Sequence, residues 1–269
     1  MSSSEESEIE PPGVIDNDNS SSASDTDTEA IQILPVARLL TKEHSLFNRI
    51  YDRFEVDHGK RLSRAERKRE GYISSTLAYG EIMFESFEEL FRIIKEYTGN
   101  EHSKKSNDTS GFNVLNNDNL TFVDIGCGTG KPVFAAALLH PFKKVIGVEI
   151  LEDLYKNCVS NLQFWSKYIK PELGEERSNN LQFSFLHNDA TLIDWSDADV
   201  VFMNSTCFTS GLMIDLSGKC KALKEGAIII SITRQVVGPA VKLIEERKMM
   251  ESWGEATVYI QKRVIKDDE

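Results

Sequence analysis

Residues 121–132 read TFVDIGCGTGKP. Five residues rich in apolar and β-branched types are followed by glycines at 126, 128 and 130, then by Lys131 and Pro132. That order describes a buried strand, a tight turn and a helix start. Proline suits the first helical turn, where its missing N–H costs nothing and its φ is preset. Glycines allow left-handed backbone and let a ligand come close to the chain. The turn is G-x-G-x-G and lacks the third glycine of the dinucleotide fingerprint at its proper spacing.

Downstream the same grammar repeats. KVIGVE (144–149), LQFSFL (181–186), DVVFMN (199–204) and AIIISIT (227–233) are short apolar runs, and helical stretches are predicted at 131–140, 151–166 and 210–222. Strands alternating with helices indicate a mostly parallel sheet covered on both faces. A further helix is predicted near 236–247. ATVYIQKRV (256–264) alternates at period two and reads as a late, antiparallel strand at the far side of the sheet.

Upstream, FESFEELFRIIKEY (84–97) places Phe84, Phe87, Leu90, Phe91, Ile94 and Tyr97 at helical spacing, an amphipathic helix packed on a core. KRLSRAERKR (60–69) sets Lys60, Arg61, Arg64, Arg67 and Lys68 on one helical face, which reads either as a solvated face or as a contact for nucleic acid or an acidic protein surface. Residues 99–119 are polar and too long for an ordinary connection, and a similar insertion is expected near 167–181. Nine of the acids that give the chain its net charge of -12 lie between Glu5 and Glu29, with no Lys or Arg among them. Such a segment buries too little apolar surface to offset its ordering entropy, so 1–30 is expected to be a disordered acidic tail. It reads as a solubilising tail or as an arm that attracts a basic partner or is phosphorylated. The expected organisation is this tail, a helical part over 31–98 carrying a cofactor-closing loop, a flexible insertion over 99–119, and a core over 120–265.

The 269 residues are 40% hydrophobic, which suits a soluble domain with a real core. The longest apolar runs fall far short of the roughly 20 residues of a membrane helix, so no membrane partner is expected. Cys127, Cys158, Cys207 and Cys220 show no zinc spacing, so a reduced compartment and no metal site are expected. MSSSEESE lacks the charged and apolar regions of a signal peptide, which predicts an intracellular protein.

The chemistry lies at the strand ends, where doubly wound sheets bind ligands. Gly126, Gly128 and Gly130 follow the first strand. Glu149 ends the second, 23 residues after Gly126, the spacing of an acid that accepts from ribose hydroxyls. Asp189 follows the third and can receive an adenine amine, and Asn204 ends the fourth, with Phe208 just beyond. No phosphate clamp, Ser/His/Asp set or paired-carboxylate metal site accompanies this edge. Adenosine held without phosphate points to S-adenosyl-L-methionine. Displacement at its sulfonium needs mainly positioning and dry surroundings, so a missing nucleophile is expected.

The block VDIGCGTG, GVE, NDA and MNSTCF resembles a class I methyltransferase. With AYGEI upstream and LKEG-AIIIS downstream, the chain over about 72–262 is similar to the non-SET histone-lysine methyltransferases of the disruptor-of-telomeric-silencing family. That resemblance implies an α/β, Rossmann-like, seven-stranded and mostly parallel sheet with helices on both faces, preceded by a small helical N-terminal part. It implies Tyr79, Gly80 and Glu81 near the cofactor's methionine part, with Asp124 and the glycines beneath. It also implies Asn204 and Phe208 at the methyl-transfer point, and it loosely matches Trp253 and Tyr259 to the lysine channel, so Asn204, Phe208 and Tyr259 are the candidate catalytic residues. The family's second asparagine is Ser205 here, its phenylalanine after the third-strand Asp is Ala190, and its long basic tract has no counterpart beyond the 60–69 helix. The resemblance implies a chromatin-regulating enzyme in the nucleus that acts on a protein lysine, most naturally of a histone or nucleosome. The alternatives are a methyltransferase for another protein or a small molecule, located in the cytoplasm, and a non-catalytic partner subunit that keeps the cofactor pocket.

Overall fold

In order along the chain, the computed structural model describes residues 40–72, 77–101, 115 and 119–265. The expected acidic tail and most of the 99–119 insertion lie outside them, and the first residues of that stretch, 99–101, are helical rather than part of an insertion. Three helices come first: α1 (Lys42–Tyr51), α2 (His58–Arg69) and α3 (Phe84–Glu101). The sheet then follows as β1 (Thr121–Ile125), β2 (Lys144–Glu149), β3 (Gln182–His187), β4 (Val200–Met203), β5 (Ile228–Ile232), β6 (Val241–Glu251) and β7 (Gly254–Arg263). Between them run α4 (Lys131–Leu139), α5 (Glu152–Phe164), α6 (Glu175–Asn180) and α7 (Ser210–Lys219).

The strand order is β3-β2-β1-β4-β5-β7-β6. The first five strands are parallel, and β7 runs antiparallel to both β5 and β6. The order reverses between β1 and β4, which opens a crevice above their carboxyl ends.

Period-two alternation sorts the strand side chains onto two faces. Phe122, Val145, Val200, Phe202 and Ile228 join a core with Phe47 and Ile50 of α1, Phe87, Leu90 and Phe91 of α3, and Phe134 of α4. Val123, Ile146, Val201 and Ile229 face the other way, onto Trp195 and onto Met213 and Leu216 of α7. The Rossmann-like sheet read from the sequence is therefore present, with helices on both faces and helices ahead of it. Helices α1–α3 belong to the same compact unit as the sheet.

Two expectations fail. The segment near 236–247 is not a helix: it enters β6, which pairs with β7 through the two-residue tip Ser252-Trp253. VKLIEERKMME is rich in helix formers, but β6 is the sheet edge, where charged side chains are the usual device against stray pairing. Its helix-like composition is an edge strand's composition. The segment near 167–181 is not an insertion, because it continues α5 through a π turn at Trp165–Ile169 and a 3-10 turn at Lys170–Leu173 into α6. Trp165 and Ile169 are buried there, and Arg177 donates to the carbonyl of Ala137 at 2.7 Å near the end of α4.

Candidate cofactor and active site

The glycine loop is bent back onto the sheet by two backbone bonds, since the N–H groups of Gly126 and Cys127 both donate to the Val148 carbonyl at 2.9 and 3.0 Å. Gly126, Gly128 and Gly130 all have positive φ, a conformation that any side chain would strain. From below the loop is held at Thr129, whose carbonyl accepts from the Tyr51 hydroxyl at 3.2 Å and from Asn161 Nδ2 at 3.1 Å.

The segment 77–81 closes over this loop. The Tyr79 hydroxyl donates to Glu81 Oε1 at 2.8 Å and shares a bond with Thr129 Oγ1 at 2.7 Å. Glu81 in turn pairs with Lys131 at the start of α4. Burial, and then the Glu81 carboxylate, push the Tyr79 hydroxyl well above the ordinary tyrosine range, so it stays neutral and donating.

A cleft of about 420 Å³ lies between this segment and the strand ends. Tyr79, Gly80, Gly126, Glu149, Asp189, Asn204 and Phe208 line it, together with Trp253. Six separate stretches of sequence converge there. Glu81, Asp124, Gly128 and Gly130 stand behind the lining, with Glu81 bracing Tyr79 as described. Tyr259 lies apart from the cleft, in mid-strand on β7 opposite Ser231 of β5. The aromatic residue that reaches the cleft from the β6–β7 hairpin is Trp253, whose indole packs against Gly80. Six positions separate the residue at the tip from the one whose backbone is locked in the ladder.

Glu149 is buried, and its carboxylate accepts from Gly128 N at 2.7 Å and from Ile150 N and Leu151 N, each at 2.9 Å. Burial raises its proton affinity, and these three amides oppose that by bonding the charged form. A carboxylate has about four acceptor positions, so one remains toward the cleft. Asp189 Oδ1 is committed to the amide and hydroxyl of Thr191, both at 2.8 Å. Asn204 bridges two walls: its Nδ2 donates to the Gly80 carbonyl at 3.3 Å, and its Oδ1 accepts from Thr206 Oγ1 at 2.9 Å.

Sequence reasoning missed a support beneath this last contact. Thr233 follows β5 at φ 71, a costly conformation for a β-branched residue. Its N–H donates to Thr257 at 2.7 Å and its hydroxyl meets that of Thr206 at 2.9 Å, which fixes the loop carrying Asn204.

The residues present fit S-adenosylmethionine. Glu149 keeps an acceptor for a ribose hydroxyl and Asp189 keeps a free carboxylate oxygen. Asp124 Oδ2 is buried with no hydrogen-bond partner among the described residues, and burial followed by the nearby Glu149 charge pushes this acid far above its usual range. It stands behind the cleft wall and does not itself line the cleft. Ile125, Val148 and Leu154 supply apolar walls. Among the described residues no set of His, Cys, Asp or Glu is arranged to hold a metal, and no helix is long and apolar enough to cross a membrane.

Comparison with known proteins agrees with this geometry. The family model described as histone methylation protein DOT1 matches residues 111–259, more than half of the chain. No curated protein sequence matches it. Among solved structures it is similar to a protein described as a methylase from Haemophilus influenzae, at 17% identity over 55% of this chain and 81% of that one, TM-score 0.42. It is also similar to the M1A22 tRNA methyltransferase TrmK of B. subtilis, at 14% identity over 56% and 63% of the two chains, TM-score 0.41. A third is TYW2 of P. horikoshii in complex with MeSAdo, at 17% identity over 61% and 66%, TM-score 0.39. At such scores these three likenesses carry nothing about substrate. The family match covers β1 to β6 and the first part of β7 with the glycine loop, Glu149, Asp189, Asn204 and Trp253, and the chain belongs to the DOT1 histone methylation family of S-adenosylmethionine-dependent methyltransferases.

Proposed function

We propose that the chain transfers the methyl group to the side-chain amine of a protein lysine, with a histone as the acceptor. The observation that carries this reading is the composition of the cleft beside Asn204. Phe208 packs toward Gly126 and Trp253 packs on Gly80, so aromatic surface borders the cleft on two sides. An extended alkyl chain ending in an amine suits such a passage, and a broad polar headgroup does not. Membership of a histone methylation family supports the choice of polypeptide.

Bound S-adenosylmethionine supplies a methyl on a sulfonium, a leaving group already activated. The chain's share of the work is positioning and desolvation. A free lysine has a pKa near ~10.4 and must shed its proton before its nitrogen can attack. Surroundings like Phe208 and Trp253 disfavour the ammonium and release that proton to water. Asn204, anchored to Gly80 and Thr206, holds the wall against which the amine would align. Labelled S-adenosylmethionine incubated with free histones, intact nucleosomes and whole-cell lysate tests the reading. Methyl-lysine on histone supports it, whereas label confined to other proteins or to small molecules overturns it.

A further inference from the structure

Helix α5 starts with Leu151 at its N-cap, a residue whose side chain caps nothing. Its leading amides are engaged all the same. Glu149 accepts from Ile150 N and Leu151 N, and Glu66, far upstream on α2, accepts from Glu152 N at 2.7 Å and Asp153 N at 2.8 Å. Two buried carboxylates thus divide one run of four consecutive N–H groups. A cap alone would be served by a Ser, Thr, Asp or Asn at position 151. Holding two like charges close together out of water is a costly substitute.

Helix α2 docks almost wholly through polar and small groups, among them His58 Nε2, which meets Asn157 Nδ2 of α5 at 3.1 Å. Its buried residues are Gly59, Ser63 and Glu66. The Ser63 hydroxyl donates to the Leu77 carbonyl at 2.9 Å. Gly59 lies so close to the Tyr79 ring that a Cβ there would stand 2.3 Å from Cε1. Arg69 adds an exposed ion pair to Asp153 at 3.0 Å. One helix therefore touches both Leu77 and Tyr79 of the closing segment and, through Glu66, the turn that carries Ile150 and Leu151. All four of those residues line the cofactor cleft.

We propose that Glu66 is a positioning residue for cofactor binding: it fixes the first turn of α5 so that Glu149 presents its remaining acceptor to the cofactor ribose, and it couples that turn to the seating of segment 77–81. The inference rests on the cofactor and not on the acceptor, so results with histones do not bear on it.

The test uses the full chain with Glu66→Ala, Glu66→Gln and Glu66→Asp. It reads S-adenosylmethionine affinity by calorimetry and hydrogen exchange of the amides from Ile150 to Asp153 without cofactor. Glu66→Ala should raise Kd roughly tenfold or more and speed exchange at those amides. Glu66→Gln keeps one accepting oxygen at full reach but turns a donor NH2 toward the second amide, so it should recover only part of the affinity. In a Glu149→Gln background the effect of Glu66→Ala on Kd should shrink to within about threefold, since the two residues act in series. Lower thermal stability and faster exchange with unchanged Kd would make Glu66 a plain helix cap and overturn the inference, as would an undiminished effect in the Glu149→Gln background. Should Glu66→Ala not fold, the other two variants decide. In those variants a Kd raised in step with faster exchange at these amides supports the inference, and a wild-type Kd beside faster exchange overturns it.

Discussion

The ring of Tyr79 lies directly against Gly128, so that a Cβ on Gly128 would stand 2.2 Å from Cε2 of Tyr79. With Gly59 on its other edge the ring is wedged between α2 and the glycine loop. Gly128 also holds φ at +57, so a side chain there meets two objections at once. Gly128→Ala is expected to destabilise the protein by about 1–3 kcal/mol and to weaken S-adenosylmethionine binding by lifting Tyr79. Thermal unfolding and calorimetry would both have to return wild-type values for this contact to be incidental.

Asn204 and Phe208 should separate under kinetic analysis. Phe208 has no polar bond to any cofactor-facing group, so Phe208→Ala is expected to lower kcat by roughly 10–100-fold through lost alignment of the acceptor while cofactor affinity stays near wild type. Asn204 holds the Gly80 carbonyl, so Asn204→Ala should lower turnover and weaken cofactor binding together. Wild-type turnover in both variants on the true acceptor would move the active site elsewhere.

The basic face of α2 is partly neutralised in the folded chain. Lys60 pairs with Asp57, Arg61 with Glu55, and Arg69 with Glu70 and Asp153. Arg64 and Lys68 are exposed on the side away from α5, and they are the positions from which contact with nucleosomal DNA is proposed. Reversal of both to Glu should weaken nucleosome binding and cut the slope of log affinity against log salt by about 2, with S-adenosylmethionine affinity unchanged. An unaltered salt slope would leave α2 a solvated face.

Glu251 closes β6 against the start of α3. Its carboxylate accepts from Met83 N at 3.1 Å, and burial pushes its pKa up to about 7. A folded pKa above the unfolded one, near ~4.3, means that the protonated form is favoured by folding. That stability is present in full below about pH 4 and is lost as pH rises toward 7. Unfolding followed across this window should show stability falling in the wild type and a flatter profile in Glu251→Gln. Parallel profiles would show that Glu251 is not the group responsible.

Much of this architecture is written in local pattern. TFVDIGCGTGKP declares itself because strand, turn and helix start each follow from residue type within a few positions, and Glu149 and Asp189 are legible because strand ends can be counted. What escaped notice depends on distance in sequence. Glu66 reads as one acid in a basic helix, and nothing nearby shows that its carboxylate caps α5. Trp253 and Tyr259 differ only in which one sits at a hairpin tip, and that became visible once 241–251 proved to be an edge strand whose charges had mimicked a helix. Thr233 gives no signal at all, since a β-branched residue is the last type expected in left-handed backbone.

The stretch that identifies the family begins at residue 111, yet Tyr79 and Gly80 come from upstream of it and form part of the cleft wall. The recognisable catalytic core is thus a vessel without its cover. Cut away the first hundred residues and the fragment would lose Phe47, Ile50, Phe87 and Phe91, exposing a greasy sheet face, and would lose Tyr79 and Gly80 from over its cofactor. Ligand and N-terminal helices must therefore reinforce one another. Cofactor at 100 times its Kd adds about 2.7 kcal/mol to the intact fold, and every part of the structure that helps to close the cleft shares in that gain.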